Sequence, residues 1–501
     1  MRFVGNLQVY ATRPTRGCHI HGFRRVGTSS RVRAAHSALA ERVVEDHQVL
    51  DPVTPFARPP PEQVDQFWRR VPGWEDVSTA EFISYRWSMK NLVEGPNKLR
   101  RFLDRVLPEL IPARGQSGVM EPREKLIVDI FEGVSEATMS VRVMPYTLSR
   151  IDWSNPRNDP IFRQFIPTKS IMQPDHPKLT LDSLEEEADS PVNGLVHRYP
   201  DKALFLPLSV CPTYCVFCTR SYAVGANTES VAKASLKPGR ARWEAVFQHI
   251  ERTPEIQDIV VSGGDSYQLM PEHIEMIGNR LISIDHVRRF RFASKGLAVC
   301  PTRILDRNDP WTDAVISISD KARRVGKAVA LHTHINHPSE ISWITERASQ
   351  RLFEAGVMVR NQSVLLRGIN DDVATMSSLI RRLADNNIFP VSNVTHRPQD
   401  LADSIQYYVY QHDMVRKSEH LRTPLQTILD LEASIRGSIA GFMMPQFVVD
   451  LPGGGGKRLA STFKSYDRRT GVSTYVAPAV TGRDKQNKVY EYHDPVDSVQ
   501  P

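Results

Sequence analysis

Three cysteines at close, regular spacing are the strongest chemical signal in the chain. Cys211, Cys215 and Cys218 form a CxxxCxxC motif, and the aromatic residues Tyr214 and Phe217 lie between them. Three thiolates can ligate three irons of a [4Fe–4S] cluster and leave the fourth iron open to chelate a small molecule. The alternatives are a zinc site and three unconnected core cysteines, but zinc normally takes a fourth Cys or His at regular spacing, which is lacking nearby. We therefore interpret the triad as ligands of an iron–sulfur cluster.

A glycine-rich turn follows the triad by some 45 residues. The apolar run DIVVSG leads into Gly263, Gly264 and Asp265. Glycines let a backbone approach a ligand closely, and a carboxylate can accept a hydrogen bond from an ammonium group. Such a turn alone is common, but its place after a strand makes it a candidate cofactor contact.

A second unusual motif, VVDLPGGGGK, ends at Lys457. It is not a phosphate-binding P-loop, because Leu451 stands where the first glycine belongs and Arg458 replaces the Ser or Thr after the lysine. A flexible linker with a surface lysine is one interpretation. A strand that delivers Asp450, followed by four glycines and one lysine, also suits a lysine that reaches into a site and forms a Schiff base with pyridoxal phosphate.

The elements that must position these motifs begin near residue 203. Short apolar runs alternate there with amphipathic stretches of helical period. Strands alternating with helices predict parallel βα units, hence an α/β fold, and polar groups at strand ends are typical of a TIM-like barrel. The predicted strands are ALFLPLSV, DIVVSG, FRFAS, KAVALHTH, VMVRNQSVLL, YYVYQHD and QFVVD.

Four regions follow from these patterns. Residues 1–40 hold seven arginines and no acidic residue, which is typical of a mitochondrial transit peptide, and a disordered basic tail is the alternative. Residues 41–195 are expected to form a mainly helical region with a proline-rich linker (51–61) and a polar wrapping arm (155–195). Residues 196–450 are expected to form the barrel, and 451–501 a C-terminal segment that carries Lys457.

The charge distribution limits the partners. The seven arginines of residues 1–40 equal the net charge of +7, so the rest of the chain is formally neutral and gives no argument for nucleic-acid binding. No run approaches 18 consecutive apolar residues, which excludes a spanning helix, and five cysteines in 501 residues exclude a disulfide scaffold. We expect localisation in the mitochondrial matrix, or otherwise in the cytoplasm, and a homo-oligomer.

The triad after a strand resembles the radical S-adenosylmethionine superfamily, and together with VVDLPGGGGK it resembles the lysine 2,3-aminomutase family. The resemblance runs from about Trp68 to about Pro478 and includes RWSMKNLV, DSPVNGLVHRYPDK, SGGD, HTHINHP, RNQSVLLRGIND and EHLRTP. It implies a partial TIM-type (β/α)6 radical SAM barrel with a helical N-terminal region and a C-terminal extension.

The resemblance also implies three cofactors and an external electron donor. The cluster binds Cys211, Cys215 and Cys218, and pyridoxal phosphate binds Lys457. S-adenosylmethionine lies near five residues: Gly263, Gly264, Asp265, His334 and Gln362. The phosphate of pyridoxal phosphate lies near Arg198, Tyr199 and Lys202. The family usually has arginine where Lys202 stands, so charge is kept but the bidentate fork is lost.

The implied substrate is a small amino acid with a cationic side chain. Arg220 matches the family position that binds the carboxylate, and a guanidinium suits that group bidentately. Asp413 and Asp450 match the two aspartates that hold the distal ammonium, and relatives that act on glutamate depart there. The implied reaction moves the α-amino group of lysine to C3 and gives β-lysine. The alternatives are another cationic amino acid, a protein-bound lysine, and a non-catalytic iron–sulfur protein.

The chain departs from the family in three places. It has no cysteine after Cys300, and Asp372 stands where a zinc-ligand cysteine would, so we expect no C-terminal zinc. Lys295 stands where arginine is common. The segment Val391–Gln406 interrupts the strand that otherwise reads IFPYYVYQHD, and it is either a retained intron in the gene sequence or a lineage-specific loop.

Overall fold

The computed structural model describes residues 65–234, 236–389, 408–481, 485 and 487–498. The expected transit peptide, the proline-rich linker and the insert Val391–Gln406 lie outside the described residues, and these expectations stay predictions. Within the described residues, no helix combines the length and apolar character needed to cross a bilayer.

Between residues 65 and 165 most of the regular structure is helical. In the helix Gly95–Val106, the apolar residues Leu99, Phe102, Leu103 and Val106 recur at intervals of three and four, and all four are buried. Two short antiparallel pairs complete the region: β1 (Val93–Glu94) with β4 (Arg142–Val143), and β2 (Leu110–Pro112) with β3 (Met120–Pro122). The helices are Thr79–Ile83, Tyr85–Lys90, Gly95–Val106, Arg123–Glu136, Pro145–Arg150 and Phe162–Phe165.

The main sheet confirms the α/β prediction. Each of the seven predicted runs contains a strand, and neighbouring strands from β6 to β13 pair in parallel. The order is β5-β6-β7-β8-β9-β10-β12-β13-β14, with the antiparallel strands β5 and β14 at the two ends. The strands are β5 (Leu195–Tyr199), β6 (Lys202–Phe205), β7 (Asp258–Val261), β8 (Arg289–Ala293), β9 (Ala328–Thr333), β10 (Met358–Val364), β11 (Ile388–Phe389), β12 (Tyr408–Tyr410), β13 (Gln446–Leu451) and β14 (Gly456–Leu459).

Helices connect these strands and cover one face of the sheet. In the helix Trp311–Arg324, for example, Trp311, Val315, Ile318 and Ala322 are buried at helical spacing. The phenylalanines Phe290 and Phe292 of β8 alternate with polar residues and belong to the same core. The connecting helices are Arg240–Glu251, Pro271–Ser283, Gly296–Val299, Thr302–Leu305, Trp311–Arg324, Trp343–Glu354, Val373–Asp385 and Leu425–Ile435.

The two short strands on either side of the predicted insert both pair with β10. Phe389 of β11 pairs with Arg360 of β10, and Tyr408 of β12 pairs with Gln362 of the same strand. The two short strands therefore follow one another along β10, although many residues separate them in the chain. This register supports the interpretation of Val391–Gln406 as an insertion into a single strand.

The C-terminal segment adds a second, antiparallel sheet. Strands β15 (Ser465–Asp467), β16 (Val472–Val476) and β17 (Val489–His493) pair in the order β15-β16-β17. Tyr475, Tyr490 and Tyr492 on two of these strands are buried in the main core. The small sheet thereby packs against the end of the main sheet that carries β13 and β14.

Candidate active site

The inner face of the main sheet encloses a cavity of about 370 Å³. Residues from the first strands and from the last strand, such as Lys202 and Lys457, line the same space, so the sheet curls around it. Every residue that the sequence singles out for the site lies in this lining. The lining includes Arg198, Tyr199, Lys202, Cys211, Cys215, Cys218, Arg220, Gly263, Gly264, Asp265, His334, Gln362, Asp413, Asp450 and Lys457.

The cysteine triad lies in the loop that follows β6. Burial raises the pKa of all three thiols, that of Cys215 to about 12, and the charge of Asp265 adds to the rise at Cys211. These thiols therefore need bound cations to ionise together. Within the described residues, no three Cys, His, Asp or Glu side chains converge on a single metal ion. A cluster does not need such convergence, because each thiolate ligates a different iron.

The glycine turn after β7 is shaped by the cysteine loop itself. Gly263 has φ +88°, and a Cβ there would lie 2.2 Å from the Leu208 carbonyl oxygen. A Cβ at Gly264 would lie 2.5 Å from the backbone of Val210. Both positions therefore require glycine because the backbone of residues 208–210 packs against the turn, and not because a ligand does.

The carboxylate of Asp265 is already engaged. It lines the cavity but accepts the backbone N–H of Tyr267 at 2.8 Å and that of Lys295 at 2.7 Å, one on each oxygen. Burial raises the pKa of Asp265 to about 6. An ammonium group could bind only to the lone pairs of the Asp265 oxygens that the two backbone N–H groups leave free. Asp265 therefore has less capacity to bind a cofactor ammonium than its sequence motif indicates.

Lys457 is positioned by a hairpin that the sequence pattern did not reveal. β13 and β14 pair antiparallel with Asp450 directly opposite Lys457. The glycines form the turn between them, and a Cβ at Gly455 would lie 2.7 Å from the Tyr490 ring. The backbone N–H of Lys457 donates to the Tyr199 hydroxyl at 2.9 Å.

The Lys457 ammonium forms an ion pair in the cavity. Its Nζ lies 2.7 Å from Asp450 Oδ2, and its side chain keeps 34% of its surface exposed. Burial alone would lower the pKa of Lys457, but the Asp450 carboxylate outweighs burial and raises it well above its usual range. The lysine is therefore held as a cation until a ligand displaces this pair.

The second aspartate is fixed by the cysteine loop. Asp413 Oδ2 accepts the Thr219 hydroxyl at 2.6 Å, and Thr219 directly follows Cys218. Burial, then the charge of Asp450, raises the pKa of Asp413 to about 7. Two carboxylates thus share a site in which Lys457 is the cation bonded to one of them.

Arg220 has a carboxylate partner that the sequence analysis missed. Its Nε and Nη2 each donate at 2.8 Å to the two oxygens of Glu186, which also accepts the Tyr222 hydroxyl at 3.1 Å. Glu186 is 3% exposed, and the charge of Arg220 outweighs burial to hold its pKa below the usual range. The acidic run LEEEAD was the available signal, but nothing in its spacing distinguishes Glu186 from its neighbours.

The residues expected near the cofactor phosphate differ in the number of hydrogen bonds that they already make to other protein groups. Arg198 donates from Nε to Asp189 Oδ2 at 2.7 Å and from Nη2 to the Leu184 carbonyl. Lys202 instead lies with its Nζ 4.2 Å above the Tyr199 ring. Arg198 is therefore largely committed to protein partners, whereas Lys202 is available to a ligand.

Lys295, which stands where arginine is common in the family, lies beside His334. Its Nζ donates to the His334 carbonyl at 2.7 Å and contacts Glu340 at 3.2 Å. Burial, then the charge of Lys295, lowers the pKa of His334 well below its usual range, so the ring is neutral. Gln362 lies on β10 and also lines the cavity.

Several buried polar atoms in the lining have no partner among the described residues. They are Oδ1 of Asp413, Oδ1 of Asp450, Oγ1 of Thr333 and Nε2 of His332, His334 and His412. Buried polar atoms in proteins are normally hydrogen-bonded, so these atoms mark positions where ligands complete the bonding. Three thiols, one amine and paired carboxylates also match, by donor type, a cluster, a carbonyl cofactor and a cationic substrate.

Comparisons with known proteins found relatives that match most of the chain. L-lysine 2,3-aminomutase of Clostridium subterminale is 34% identical over 391 residues, which cover 78% of this chain and 80% of the relative. L-lysine 2,3-aminomutase of Bacillus subtilis is 32% identical over 392 residues (78% and 71%). Glutamate 2,3-aminomutase of Clostridioides difficile is 30% identical over 400 residues (79% and 81%). No protein-family model matches the chain.

Proposed function

The chain belongs to the lysine 2,3-aminomutase family and is an isomerase; from that premise we propose that it moves the α-amino group of L-lysine to C3 and yields β-lysine. The observation that carries this proposal is the joint position of three groups. The cysteine triad, Lys457 and the pair Asp413 and Asp450 all line one cavity. Relatives of this chain act on lysine or on glutamate, and two buried carboxylates favour the cationic substrate.

Each implied cofactor has residues in the lining that fit it. Cys211, Cys215 and Cys218 would hold a [4Fe–4S] cluster in a partial (β/α)6 barrel. S-adenosylmethionine would be held by residues that line the same cavity after β7, after β9 and on β10: Gly263, Gly264, Asp265, His334 and Gln362. Lys457 would hold pyridoxal phosphate. When bound, the cluster with S-adenosylmethionine supplies radical chemistry and pyridoxal phosphate supplies an electron sink.

The protein residues bind and orient the two ends of the substrate. Glu186 accepts hydrogen bonds from Nε and Nη2 of Arg220. The opposite edge of the guanidinium stays available, and it suits the α-carboxylate of the substrate. Asp413 and Asp450 each keep one unbonded oxygen for the distal ammonium. With both ends held, the carbon atoms between them have a fixed position relative to the cysteine loop.

Asp450 also takes part in a change of partners. Lys457 must give up one ammonium proton to solvent, and its bond to Asp450, before its nitrogen can react as an amine. Once that bond is gone, Asp450 faces the cavity without its ion-pair partner. A substrate ammonium restores the charge balance, which links cofactor loading to selection of a cationic substrate.

The proposal is tested by anaerobic incubation of the reconstituted chain with S-adenosylmethionine, pyridoxal phosphate, dithionite and single amino acids. We expect lysine to give β-lysine and glutamate to give no product. Ornithine as the better substrate would support an aminomutase of another cationic amino acid. Absence of any amino-acid product, with iron and pyridoxal phosphate both bound, would contradict the proposal and favour the protein-bound lysine or non-catalytic alternatives.

The first prediction concerns Asp413. The substitution Asp413→Asn removes one of two buried charges opposite the substrate ammonium, a loss of roughly 2–5 kcal/mol in a desolvated pair. We expect kcat/KM for lysine to fall by about 30-fold to about 4,000-fold, while pyridoxal phosphate remains bound. The companion variant is Thr219→Val, which removes a hydrogen bond to Asp413 but keeps its carboxyl group. A kcat/KM for lysine close to wild type in Asp413→Asn would refute the role of this carboxylate.

The second prediction concerns Glu186. The substitution Glu186→Gln weakens the bidentate pair that fixes Arg220, so we expect KM for lysine to rise by about tenfold with a smaller change in kcat. Glu187→Gln is the matched control, because Glu187 belongs to the same acidic run but is exposed. Equal KM values in the two variants would show that Glu186 does not position Arg220 for binding.

A further inference from the structure

Four cations of the described structure lie close enough to the cysteine triad to lower the pKa of one of its thiols. Three of these cations have a carboxylate partner. The pairs are Arg142 with Glu94, Arg220 with Glu186, and Lys295 with Glu340. The fourth cation is Lys233, whose ammonium bonds to no carboxylate among the described residues. Lys233 therefore has a charge that the protein around it does not balance.

The Lys233 ammonium is held by uncharged groups beside the triad loop. Its Nζ donates to the backbone carbonyls of Thr138 and Ser221 and contacts the Met139 sulfur at 3.9 Å. The backbone N–H of Ser221 donates in turn to the Cys218 carbonyl at 3.1 Å. Lys233 does not line the main cavity, so it reaches the triad loop from outside that cavity.

The segment that Lys233 binds is itself packed against the triad. A small buried cluster there contains Met139, Tyr214 and Val224, and Cys211 and Cys218 pack against it. Ser230 Oγ adds a hydrogen bond to the Ala137 carbonyl at 2.8 Å, three residues before Lys233. These contacts hold the loop that carries Lys233 against residues 137–139, and so fix the ammonium near Cys218.

The charges of Lys233 and Cys218 depend on one another. Burial lowers the pKa of Lys233 to about 8, and the charge of Cys218 acts in the opposite direction. Burial raises the pKa of Cys218, and the charges of Arg220 and Lys233 lower it. A half-buried ammonium without a carboxylate is unusual, because charges taken out of water are normally paired. The anion that suits this ammonium is the one that the triad would carry.

We propose that Lys233 is the counter-charge of the iron–sulfur cluster, and that it favours cluster binding and the reduced state of the cluster. Reduction transfers one electron from the external donor to the cluster, so the cluster with its thiolates becomes more negative by one charge. A fixed positive charge beside Cys218 stabilises this more negative state and raises the reduction potential. Lys233 is thus a positioning residue that acts through the cluster. The inference rests on the proposed function, which supplies the cluster.

The test measures the reduction potential of the reconstituted cluster in the full-length chain, by anaerobic redox titration with electron paramagnetic resonance of the reduced cluster. We expect the ratio of reduced to oxidised cluster at one fixed potential to fall by about tenfold in Lys233→Gln, which equals about 59 mV for one electron. Lys233→Arg keeps the charge, so its ratio should stay within about twofold of the wild type.

Lys237→Gln is the matched control. It removes the same charge from the same loop, but the Lys237 side chain is exposed, so water screens it and the ratio should equal that of the wild type. The sign of the shift separates charge from packing. Loss of packing alone would admit water, which stabilises the more negative reduced state and raises the ratio, whereas loss of the counter-charge lowers it.

Lys233→Met is a second neutral variant, and its unbranched side chain keeps most of the volume of the lysine stem. An unchanged or higher ratio in whichever neutral variant binds iron would overturn the inference. If neither neutral variant binds iron, pyridoxal phosphate absorbance verifies that the chain is folded, and the arginine variant decides. Iron bound by Lys233→Arg would support the counter-charge, and its absence there would overturn it.

The potential is measured without an amino acid, so the outcome is separable from that of the proposed function. A lower ratio in Lys233→Gln, in a chain whose wild type converts no amino acid, would support the counter-charge and contradict the aminomutase. Turnover of lysine by the wild type, with equal ratios in the wild type and Lys233→Gln, would do the reverse.

Discussion

Replacement of Lys457 by alanine is expected to reduce turnover of lysine by about 10⁴-fold or more, because the variant loses the amine proposed to hold pyridoxal phosphate. Lys457 is held by the β13–β14 hairpin, by Tyr199 and by Asp450 at 2.7 Å, so its position is fixed from three directions. The first measurement is the near-visible absorbance of the chain after incubation with pyridoxal phosphate and removal of the excess. We expect this absorbance in the wild type and its loss in Lys457→Ala.

Lys464→Ala is the control for this prediction. Lys464 lies in the same C-terminal segment but is exposed, so the variant should keep both absorbance and turnover. Retention of the absorbance in Lys457→Ala, or turnover within a factor of about ten of the wild type, would show that another amine carries the cofactor.

Replacement of Cys218 by alanine is expected to abolish turnover and to lower the iron bound per chain, because two thiolates hold a cluster poorly. Pyridoxal phosphate should still bind, since Lys457 lies on another element of the cavity. Iron and sulfide content after anaerobic reconstitution, with turnover of lysine, are the measurements.

Cys300→Ser provides the matched control. Cys300 is also buried, but its Sγ faces Thr302 Oγ1 at 3.4 Å and it does not line the cavity. This variant should keep the iron and the turnover. Equal iron content in Cys218→Ala and wild type would exclude the triad as the ligand set.

Much of the main sheet follows from local sequence patterns. The seven apolar runs become strands because each is short, apolar and bounded by turn residues, and the helices between them carry apolar residues at intervals of three and four. Cys218 and Asp413 follow parallel strands, whose carboxyl ends lie at one edge of the sheet, and the antiparallel hairpin of β13 and β14 places Lys457 opposite Asp450 at the same edge. The pairing of Asp450 with Lys457 was not predictable, because the four glycines hide the hairpin.

The missed site residues depend on contacts between distant segments. Glu186 reaches Arg220 across 34 residues of chain, and no local period marks it. Arg291, which also lines the cavity, was predictable in part: a charged residue at an inner position of the apolar run FRFAS is a conflict that indicates a buried partner or ligand. For Asp265 the sequence indicated more than the structure allows. The motif predicts a free carboxylate, but two backbone N–H groups already donate to its oxygens.

The predictions on residues 1–40 and on Val391–Gln406 lie outside the described residues. The register of β11 and β12 along β10 supports an insertion but not its origin. Transcript reads that lack the codons for residues 391–406 would establish a retained intron, and reads that always contain them would establish a loop. Import of the full-length chain into isolated mitochondria, with cleavage near residue 40, tests the transit peptide.

The central claim is that one chain supplies both the cysteine triad and Lys457 to a single cavity. Co-expression of Cys218→Ala with Lys457→Ala, followed by purification of the mixed protein and assay of lysine turnover, tests it most directly. We predict no turnover above the sum of the two variants assayed alone, because every cavity lacks one of the two groups. Restored turnover in the mixture would mean that a site combines groups from two chains, and it would contradict this account.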